Sequence, residues 1–329
     1  MDKIKIGMIG AGGRAQTHYA SLAEMSDAEM TAICDLNEER LKSTADKYGI
    51  RERYTDYRLM LKKMDFDAVY IIMQPTFLGP LVTYSLKRGK NVFVEKPPGT
   101  DVKETVKWAK IAKENGCKTA VGFQRRFHPC VVEAKRIVEE RGRILYCMAA
   151  FHKYGEWKGD YDSLVNDVVH MVDLLRWMGG EVKKVRSLSG QLYGNIEDYL
   201  NFYTAVLEFE SGGVGILTSN RTSGGRVLNF EMHSKGISAY GNIPGISGMD
   251  YYMVLKDNQP YQEAKTVKNE EIIGNDAPQT HLDGSFQIDR NFIDCIKEDK
   301  QPMTNFEDAA KTMQVIKKIQ SGPRLPSVM

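Results

Sequence analysis

Short apolar runs alternate with amphipathic stretches along the first 121 residues of this 329-residue chain. Buried parallel strands are predicted at residues 3–9, 30–34, 67–73, 91–95 and 118–122, with a weaker one near Tyr54. The segments between them are rich in Glu, Lys, Ala and Leu, and the one that begins at Asp101 and ends at Gly116 carries typical helix-end signals. This alternation predicts a doubly wound parallel sheet.

The pattern changes after Arg143, where the strands become longer and alternate strictly between apolar and polar positions. Such alternation favours a mainly antiparallel, open-faced sheet. Its strands are predicted within residues 143–154, 181–194, 200–219 and 226–241, and helices near 163–178, 281–298 and 305–320. The fold class is therefore α/β, with a doubly wound domain at residues 1–123 and an α+β domain at residues 124–329.

Composition narrows the class of protein without naming an activity. Charged residues make up 27% of the chain but the formal net charge is only +2, so nothing indicates a nucleic-acid or acidic-membrane partner. The N-terminus has no signal-like apolar core, and we expect a cytoplasmic protein. The five cysteines are odd in number and widely spaced, which favours buried thiols over disulfides or a zinc site.

The first predicted strand runs into GAGGRA, where Gly10, Gly12 and Ala15 occupy the three small positions of a dinucleotide-binding fingerprint. They permit a tight turn, close approach of a pyrophosphate and packing of the next helix on the strand. The free N–H groups and the dipole at that helix start favour a phosphate. Cofactor contacts are predicted from Gly10, Ala11, Gly12, Gly13 and Arg14.

Asp35 ends the second predicted strand, 25 residues after Gly10. A carboxylate there accepts hydrogen bonds from both ribose hydroxyls and repels a 2′-phosphate, so we expect NAD in preference to NADP. Two alternatives remain: a glycine turn with a solvated aspartate, or a 2′-phosphate bound by Arg40 with Asp35 swung aside.

Two more strand ends point to the same edge of the sheet, because ligands bind outside the carboxyl ends of the strands in such folds. Met73, Gln74 and Pro75 follow the fourth strand, and Glu95, Lys96 and Pro97 follow the fifth. A lysine at this edge lies beside the nicotinamide end of a bound dinucleotide. The alternative is a surface lysine in a proline-rich turn.

Taken together, GAGGRA, Asp35, GKNVFVEKP (89–97), GFQRRFHP (122–129) and VNDVVHMVDLLRW (165–177) resemble the glucose-fructose oxidoreductase, inositol dehydrogenase and MocA family. The resemblance covers nearly the whole chain. It implies an NAD-binding Rossmann domain at residues 1–123 and a domain for substrate binding and oligomerisation at residues 124–329. It also implies hydride transfer between NAD or NADP and a carbinol or carbonyl of a sugar, sugar derivative or cyclitol, and a homodimer or homotetramer associated through the C-terminal sheets.

The resemblance also implies catalytic roles. Lys96 matches the family lysine that polarises the reacting oxygen, and His170 matches the family histidine, which we take as the general acid/base. Many relatives carry an aspartate four residues before this histidine, but this chain has Asn166 there, followed by Asp167. On an undistorted helix Asp167 shares roughly the face of His170 and could orient the imidazole, and Asn166 could instead hydrogen-bond a substrate hydroxyl. Whether Asn166 or Asp167 supports His170, the sequence leaves open.

Other assignments follow the same resemblance. Gln124 is expected near the nicotinamide and Arg126 near the substrate, with Arg125 as a surface or interface charge. His152 and Tyr154 end a predicted strand and are assigned to the substrate, with a core or rim position as the alternative. Contact with the cofactor after the fourth strand is expected from backbone groups and Gln74, because relatives often have Pro-Asn and a later histidine where this chain has Thr76 and Gly79.

Two other functions fit parts of the same sequence. One is a non-catalytic NAD-binding regulator, against which the presence of both Lys96 and His170 argues. The other is a glycoside-cleaving enzyme that uses NAD for transient oxidation. A metal enzyme is disfavoured because the six histidines show no ligand spacing. Which sugar or cyclitol is the substrate, and in which direction the reaction runs, the sequence leaves open.

Overall fold

The computed structural model describes residues 3–155, 162–192 and 200–326. The chain divides into two compact units. The first comprises Met1–Phe123 and Ser285–Lys311, and the second Gln124–Gly284 and Thr312–Met329. The chain therefore passes between the units three times, whereas the sequence-based division has a single crossing after residue 123.

A six-stranded parallel sheet forms the centre of the first unit, in the order β3-β2-β1-β4-β5-β6. Its direction of winding reverses between β1 and β4, and this confirms the predicted doubly wound sheet. The strands are β1 (Ile4–Ile9), β2 (Ala28–Cys34), β3 (Glu52–Tyr54), β4 (Ala68–Ile71), β5 (Asn91–Val94) and β6 (Thr119–Val121).

The helices of this unit begin and end near the helix-start and helix-stop signals of the sequence. The Asp101 side chain accepts a hydrogen bond from the N–H of Lys103 at 2.9 Å, and Gly116 adopts a φ of 66° just after the helix ends. Both features satisfy backbone groups that helix ends leave unpaired. Before the first crossing the helices are α1 (Gly13–Ala23), α2 (Glu38–Tyr48), α3 (Tyr57–Lys63), α4 (Leu78–Leu86) and α5 (Val102–Glu114).

The second unit is built on a nine-stranded sheet of the described residues. Neighbouring strands are antiparallel except β7 and β10, which run parallel, so the mainly antiparallel prediction is confirmed. The order is β15-β14-β13-β12-β7-β10-β9-β8, with β11 also paired to β7. The strands are β7 (Tyr146–Tyr154), β8 (Val182–Gly190), β9 (Phe202–Phe209), β10 (Val214–Asn220), β11 (Thr222–Val227), β12 (Asn229–Ser234), β13 (Ile237–Asn242), β14 (Tyr251–Lys256) and β15 (Thr266–Lys268).

Helices cover one face of this sheet. They include α6 (Pro129–Glu139) and α7 (Val169–Gly179), and a Cβ added to Gly215 on β10 would lie 3.5 Å from the Leu175 side chain of α7. The predicted helix 163–178 begins differently, as a π-helix at Leu164–Val168 that leads into α7. The last two residues of the predicted strand 181–194 lie outside the described residues.

Two short helices, α8 (Asn269–Ile273) and α9 (Gln279–Leu282), precede the return of the chain to the first unit. The helix predicted at 281–298 is interrupted at Gly284, whose φ is 88°, and resumes as α10 (Ser285–Lys297). The last helix is α11 (Phe306–Gln320). Because α10 packs against α1, the 285–311 segment belongs with the Rossmann sheet despite its distance in sequence.

All five cysteines are buried free thiols, as the sequence predicts. Across the described ranges, no helix combines the length and apolar character needed to cross a membrane.

Candidate active site

The turn between β1 and α1 has the shape that a dinucleotide requires. Gly10 adopts a φ of 105°, and a Cβ there would lie 2.2 Å from the carbonyl oxygen of Ile72. At Gly12 and Gly13, by contrast, an added Cβ would have no atom within 4 Å outside the adjoining residues and the backbone of α1. The start of α1 therefore presents open space beside free backbone N–H groups, which fits a pyrophosphate.

The Asp35 carboxylate is tied to this turn. One of its oxygens accepts the N–H of Ala11 at 2.7 Å, and the other accepts the N–H of Asn37 at 2.8 Å. Arg40 Nη2 lies 3.4 Å from the second oxygen, and the Arg40 side chain is 58% exposed. A fixed carboxylate beside the glycine turn fits the ribose of NAD.

The loop after β4 joins the same edge. The sulfur of Met73 would lie 3.3 Å from a Cβ at Gly10, so this loop borders the glycine turn. Gln74 is exposed, and Pro75 is buried at the start of a 3₁₀ turn, Pro75–Phe77. These residues lie where the winding of the sheet reverses, the position at which such folds bind ligands.

Lys96 follows β5 at the carboxyl edge of the sheet and is half-buried. Its backbone N–H donates to Glu95 Oε2 at 3.0 Å, and its peptide bond to Pro97 is cis. Glu95 is only 6% exposed. The predicted lysine is therefore held in place by the acid that precedes it.

The buried surroundings of Glu95 contain a histidine that the sequence analysis missed. Glu95 Oε1 accepts Arg14 Nε at 2.7 Å and lies 3.0 Å from Nε2 of the fully buried His18. The other ring nitrogen of His18 lies 2.8 and 3.0 Å from the two carboxylate oxygens of Asp289 on α10. No local sequence pattern reveals this cluster, because its members come from three distant segments of the chain. The one sequence signal is the acid Glu95 at the end of a buried strand, since a buried carboxylate needs a positively charged partner.

The charges of this cluster stabilise one another. Burial alone lowers the pKa of His18, but the charges and hydrogen bonds of Asp289 and Glu95 raise it to about 9. Burial raises the pKa of Glu95, yet the charge of Arg14 and the hydrogen bond from His18 outweigh burial and hold that pKa below its usual range. Burial also raises the pKa of Asp289, against the lowering effect of His18. We take the pair as imidazolium and carboxylate because both ring nitrogens face carboxylate oxygens.

In the second unit, the π-helix alters the geometry expected around His170. Asn166 Nδ2 donates to Asp167 Oδ1 at 3.1 Å, and Asp167 Oδ2 lies 3.0 Å from Nη1 of the buried Arg221. The assumption of an undistorted helix is wrong, because a π-turn bonds residues five apart and rotates the preceding side chains relative to α7. π-turns are frequent at functional sites, and Arg221 is a further polar neighbour that sequence reasoning missed.

His170 itself is 8% exposed near the start of α7. Gln124 is 6% exposed in the 3₁₀ turn Gln124–Phe127. The structure gives Lys96 and His170 to different units, and the roles assigned to both stay predictions.

Arg126 has a structural partner that the sequence did not reveal. Its Nε and Nη2 atoms each lie 2.5 Å from an oxygen of Asp173 on α7, and both side chains are buried. The Thr312 hydroxyl donates to the same carboxylate at 2.9 Å. Arg126 is thus bonded to α7 through Asp173. The substrate role assigned to it stays a prediction. Arg125, expected as a surface or interface charge, is 5% exposed, so the surface position is wrong.

His152 and Tyr154 lie at the end of β7. Because side chains alternate along a strand, both residues lie on the same face of the sheet as Met148, and α7 packs on the opposite face. Tyr154 is 78% exposed. Their assignment to the substrate also stays a prediction.

Within the described segments, no group of three or more His, Cys, Asp or Glu side chains is arranged to hold a metal ion.

Two family models match the chain. Residues 4–123 match the oxidoreductase family with an NAD-binding Rossmann fold, and residues 132–238 match the GFO/IDH/MocA C-terminal domain. The chain belongs to the GFO/IDH/MocA oxidoreductase family. The resemblance drawn from GAGGRA, the EKP segment and the histidine helix is confirmed, together with the predicted enzyme class and the NAD-binding domain.

Members of this family with curated names are similar over most of the chain. A scyllo-inositol 2-dehydrogenase (NAD(+)) of Bacillus subtilis is 22% identical, over 95% of this chain and 92% of its own length. A myo-inositol 2-dehydrogenase of Thermotoga maritima is 25% identical, over 78% of this chain and 79% of its own. A dehydrogenase structure from Chromobacterium violaceum superposes with a TM-score of 0.85 at 20% identity, covering 98% and 95% of the two chains, a likeness of fold.

Proposed function

We propose that the protein transfers a hydride between NAD and a carbinol or carbonyl carbon of a sugar, sugar derivative or cyclitol. The observation that carries this proposal is the pairing, at one edge of the first sheet, of an open glycine turn after β1 with a lysine turn after β5. When bound, NAD supplies the hydride chemistry. The inositol dehydrogenases among the relatives support a polyhydroxylated substrate.

Lys96 polarises the reacting oxygen. Its ammonium group donates a hydrogen bond to the carbinol or carbonyl oxygen and stabilises the negative charge that develops there during hydride transfer. The hydrogen bond from the backbone N–H of Lys96 to the Glu95 carboxylate supports this role, because it fixes the backbone from which the lysine side chain extends. A preset donor needs no reorganisation during the reaction.

His170 exchanges the hydroxyl proton as general acid/base. An ordinary imidazole titrates near neutral pH, which suits it to both directions of the reaction. Asn166 and Asp167 lie one turn earlier, where Asp167 is paired with Arg221. We assign Asn166 to a substrate hydroxyl and Asp167 to the support of His170.

The remaining proposed roles follow the sequence analysis. The substrate is contacted by Lys96, Arg126, His152, Tyr154, Asn166 and His170. NAD is held by Gly10, Ala11, Gly12, Gly13, Arg14, Asp35, Met73, Gln74, Pro75, Glu95, Lys96 and Gln124. Residues 124–329 supply substrate binding and assembly into a cytoplasmic homodimer or homotetramer through the open sheet face.

The test begins with a screen of inositols and aldoses, following NADH by absorbance. On the best substrate, Lys96→Ala should lower kcat about 10²–10³-fold, because it removes a charge-stabilising donor of the transition state. NADH affinity, measured by fluorescence titration, should change only a few-fold. His170→Ala should lower kcat about 10²–10⁴-fold and flatten its pH dependence.

Lys90→Ala is the matched control, since Lys90 precedes the same strand, β5, at the opposite edge of the sheet and pairs with Asp65 at 2.8 Å. It should leave kcat unchanged. Near-normal turnover of Lys96→Ala would mean that the lysine is only a turn residue and would sink the proposed mechanism.

A further inference from the structure

Four charged side chains of the first unit form a continuous network that we call the buried network: Arg14, His18, Glu95 and Asp289. His18 lies at its centre and is fully buried between the two carboxylates. Arg14 is its outer member, with a side chain 35% exposed at the cofactor turn. The network thus runs from the interior to the proposed NAD site.

Glu95 connects the two functional turns. One carboxylate oxygen accepts Arg14, from the first turn of α1, and the other accepts the backbone N–H of Lys96. The carboxylate is tightly enclosed, because a Cβ at Gly122 would lie 2.8 Å from it. A shift of Glu95 would therefore move the Arg14 guanidinium and the start of the lysine turn together.

We infer that His18 and Asp289 are positioning residues, which fix Glu95 and thereby hold Arg14 and Lys96 in place for cofactor binding and turnover. The inference rests on the proposed function, since it takes Lys96 as the polarising group. Neither His18 nor Asp289 reaches a reactant. They act through Glu95 alone.

This role requires a protonated His18. Both ring nitrogens face carboxylate oxygens, so both must carry hydrogen to donate. The groups facing the ring are Asp289 from α10, Glu95 after β5 and Tyr70 from β4, whose pKa burial raises well above its usual value. Loss of the proton, with a pKa of about 9, would leave one carboxylate without its donor.

The main test is Asp289→Asn, which keeps the shape of the side chain but removes its charge. Without Asp289, His18 should lose its proton at lower pH, by roughly 1–3 pH units, the range typical for loss of an adjacent opposite charge. The alkaline fall of kcat and of NADH affinity should move down in pH by a similar amount. The control is Asp250→Asn, because His128 and Asp250 form an equally buried pair at 3.1 Å in the second unit.

His18→Gln provides a second measurement. It should lower kcat about 10- to 100-fold at pH 7.5, as expected when a reacting group is displaced by about 1 Å. The wild-type unfolding temperature without cofactor should fall as pH rises from 6.5 through 9, since the folded state holds the His18 proton more tightly. In His18→Gln this fall should disappear.

The outcomes separate the two proposals. If Asp289→Asn behaves like Asp250→Asn, with an unmoved alkaline limb, the positioning role is refuted even when Lys96→Ala is inactive. If the unfolding profile of His18→Gln flattens but kcat stays normal, the pair is structural only and the inference also fails. Near-normal turnover of Lys96→Ala refutes the proposed function irrespective of these results. Should His18→Gln not fold, the isosteric Asp289→Asn decides alone.

Discussion

At the scale of single residues, Asp35, to which we assign the choice of cofactor, is hydrogen-bonded to the backbone of the turn between β1 and α1. Its carboxylate accepts hydrogen bonds from two backbone N–H groups, that of Ala11 in the turn after β1 and that of Asn37 after β2. Arg40 is close enough to pair with it at 3.4 Å. One substitution at position 35 therefore removes a negative charge and releases a positive one.

This arrangement predicts the direction of a change in cofactor preference. Asp35→Ser should narrow the preference for NADH over NADPH by at least about tenfold, because a 2′-phosphate no longer meets a carboxylate and finds Arg40 instead. Fluorescence titration with both cofactors measures it.

Asp46→Ser is a suitable control, since Asp46 is an exposed carboxylate that pairs with Arg53 at 2.6 Å. It should leave the ratio unchanged. Equal affinities of the unaltered protein for both cofactors would contradict the assignment of Asp35.

At the scale of elements, the β1–α1 connection separates two uses of glycine. Gly10 is required by the fold, since a side chain would clash with the backbone of Ile72 and the φ is positive. Gly12 has an ordinary φ of −70° and open space around it. Packing therefore does not require a glycine at position 12, and we expect its small size to matter for the cofactor.

Alanine substitutions at these two positions should therefore affect different properties, stability at Gly10 and cofactor binding at Gly12. Gly10→Ala should lower the unfolding temperature of the cofactor-free protein by several degrees, through backbone strain of roughly 1–2 kcal/mol and the clash. Gly12→Ala should leave that temperature within about a degree and weaken NADH binding at least about tenfold, because the methyl group occupies the pyrophosphate space. Calorimetry and NADH titration measure the two effects. A stable Gly12→Ala protein with normal NADH affinity would show that the cofactor does not approach this turn.

Much of this element pattern is readable from the sequence. The parallel strands, the glycine turn, the helix ends at Asp101 and Gly116 and the position of Lys96 all follow from local periodicity and strand-end rules. The strands β11, β14 and β15 do not. β11 (TSGGRV) and β15 (TVK) each contain a single apolar residue, and β14 (YYMVLK) lacks the alternation by which the second sheet is recognised. The π-turn before His170 escapes too, since its five residues are too few for the sequence to distinguish π-helical from α-helical spacing.

The buried network shows why the rest was out of reach. His18 stands in α1 as an isolated histidine, and its partners Glu95 and Asp289 are 77 and 271 residues away. These residues form one buried charged cluster only in the folded protein. The cluster forms because α10, which carries Asp289, returns to the first unit.

At the scale of the whole molecule, one face of the second sheet carries no helix among the residues that the structure describes. Val206, Ile216 and Met148 lie side by side across β9, β10 and β7, and Val206 is 37% exposed. An apolar row of this kind in the middle of a broad sheet favours association with a second copy.

We therefore expect the protein to be a dimer or tetramer at micromolar concentration and Ile216→Glu to dissociate it, because the charge would be buried without a partner. Analytical ultracentrifugation measures the mass. Val132→Glu, an exposed apolar position on α6, is the control and should leave the mass unchanged. A strictly monomeric wild-type protein would rule out assembly through this face.

The return of residues 285–311 to the first unit has a consequence for biosynthesis. The ribosome completes β1 to β6 early, but His18 and Asp27 meet Asp289 and Arg290 only after the whole 124–284 segment has been translated. Until then the surface of α1 that α10 later covers is exposed to solvent and to chaperones. During this time only contacts within residues 1–123 stabilise the Rossmann sheet. The domain that leaves the ribosome first is thus the one that is finished late.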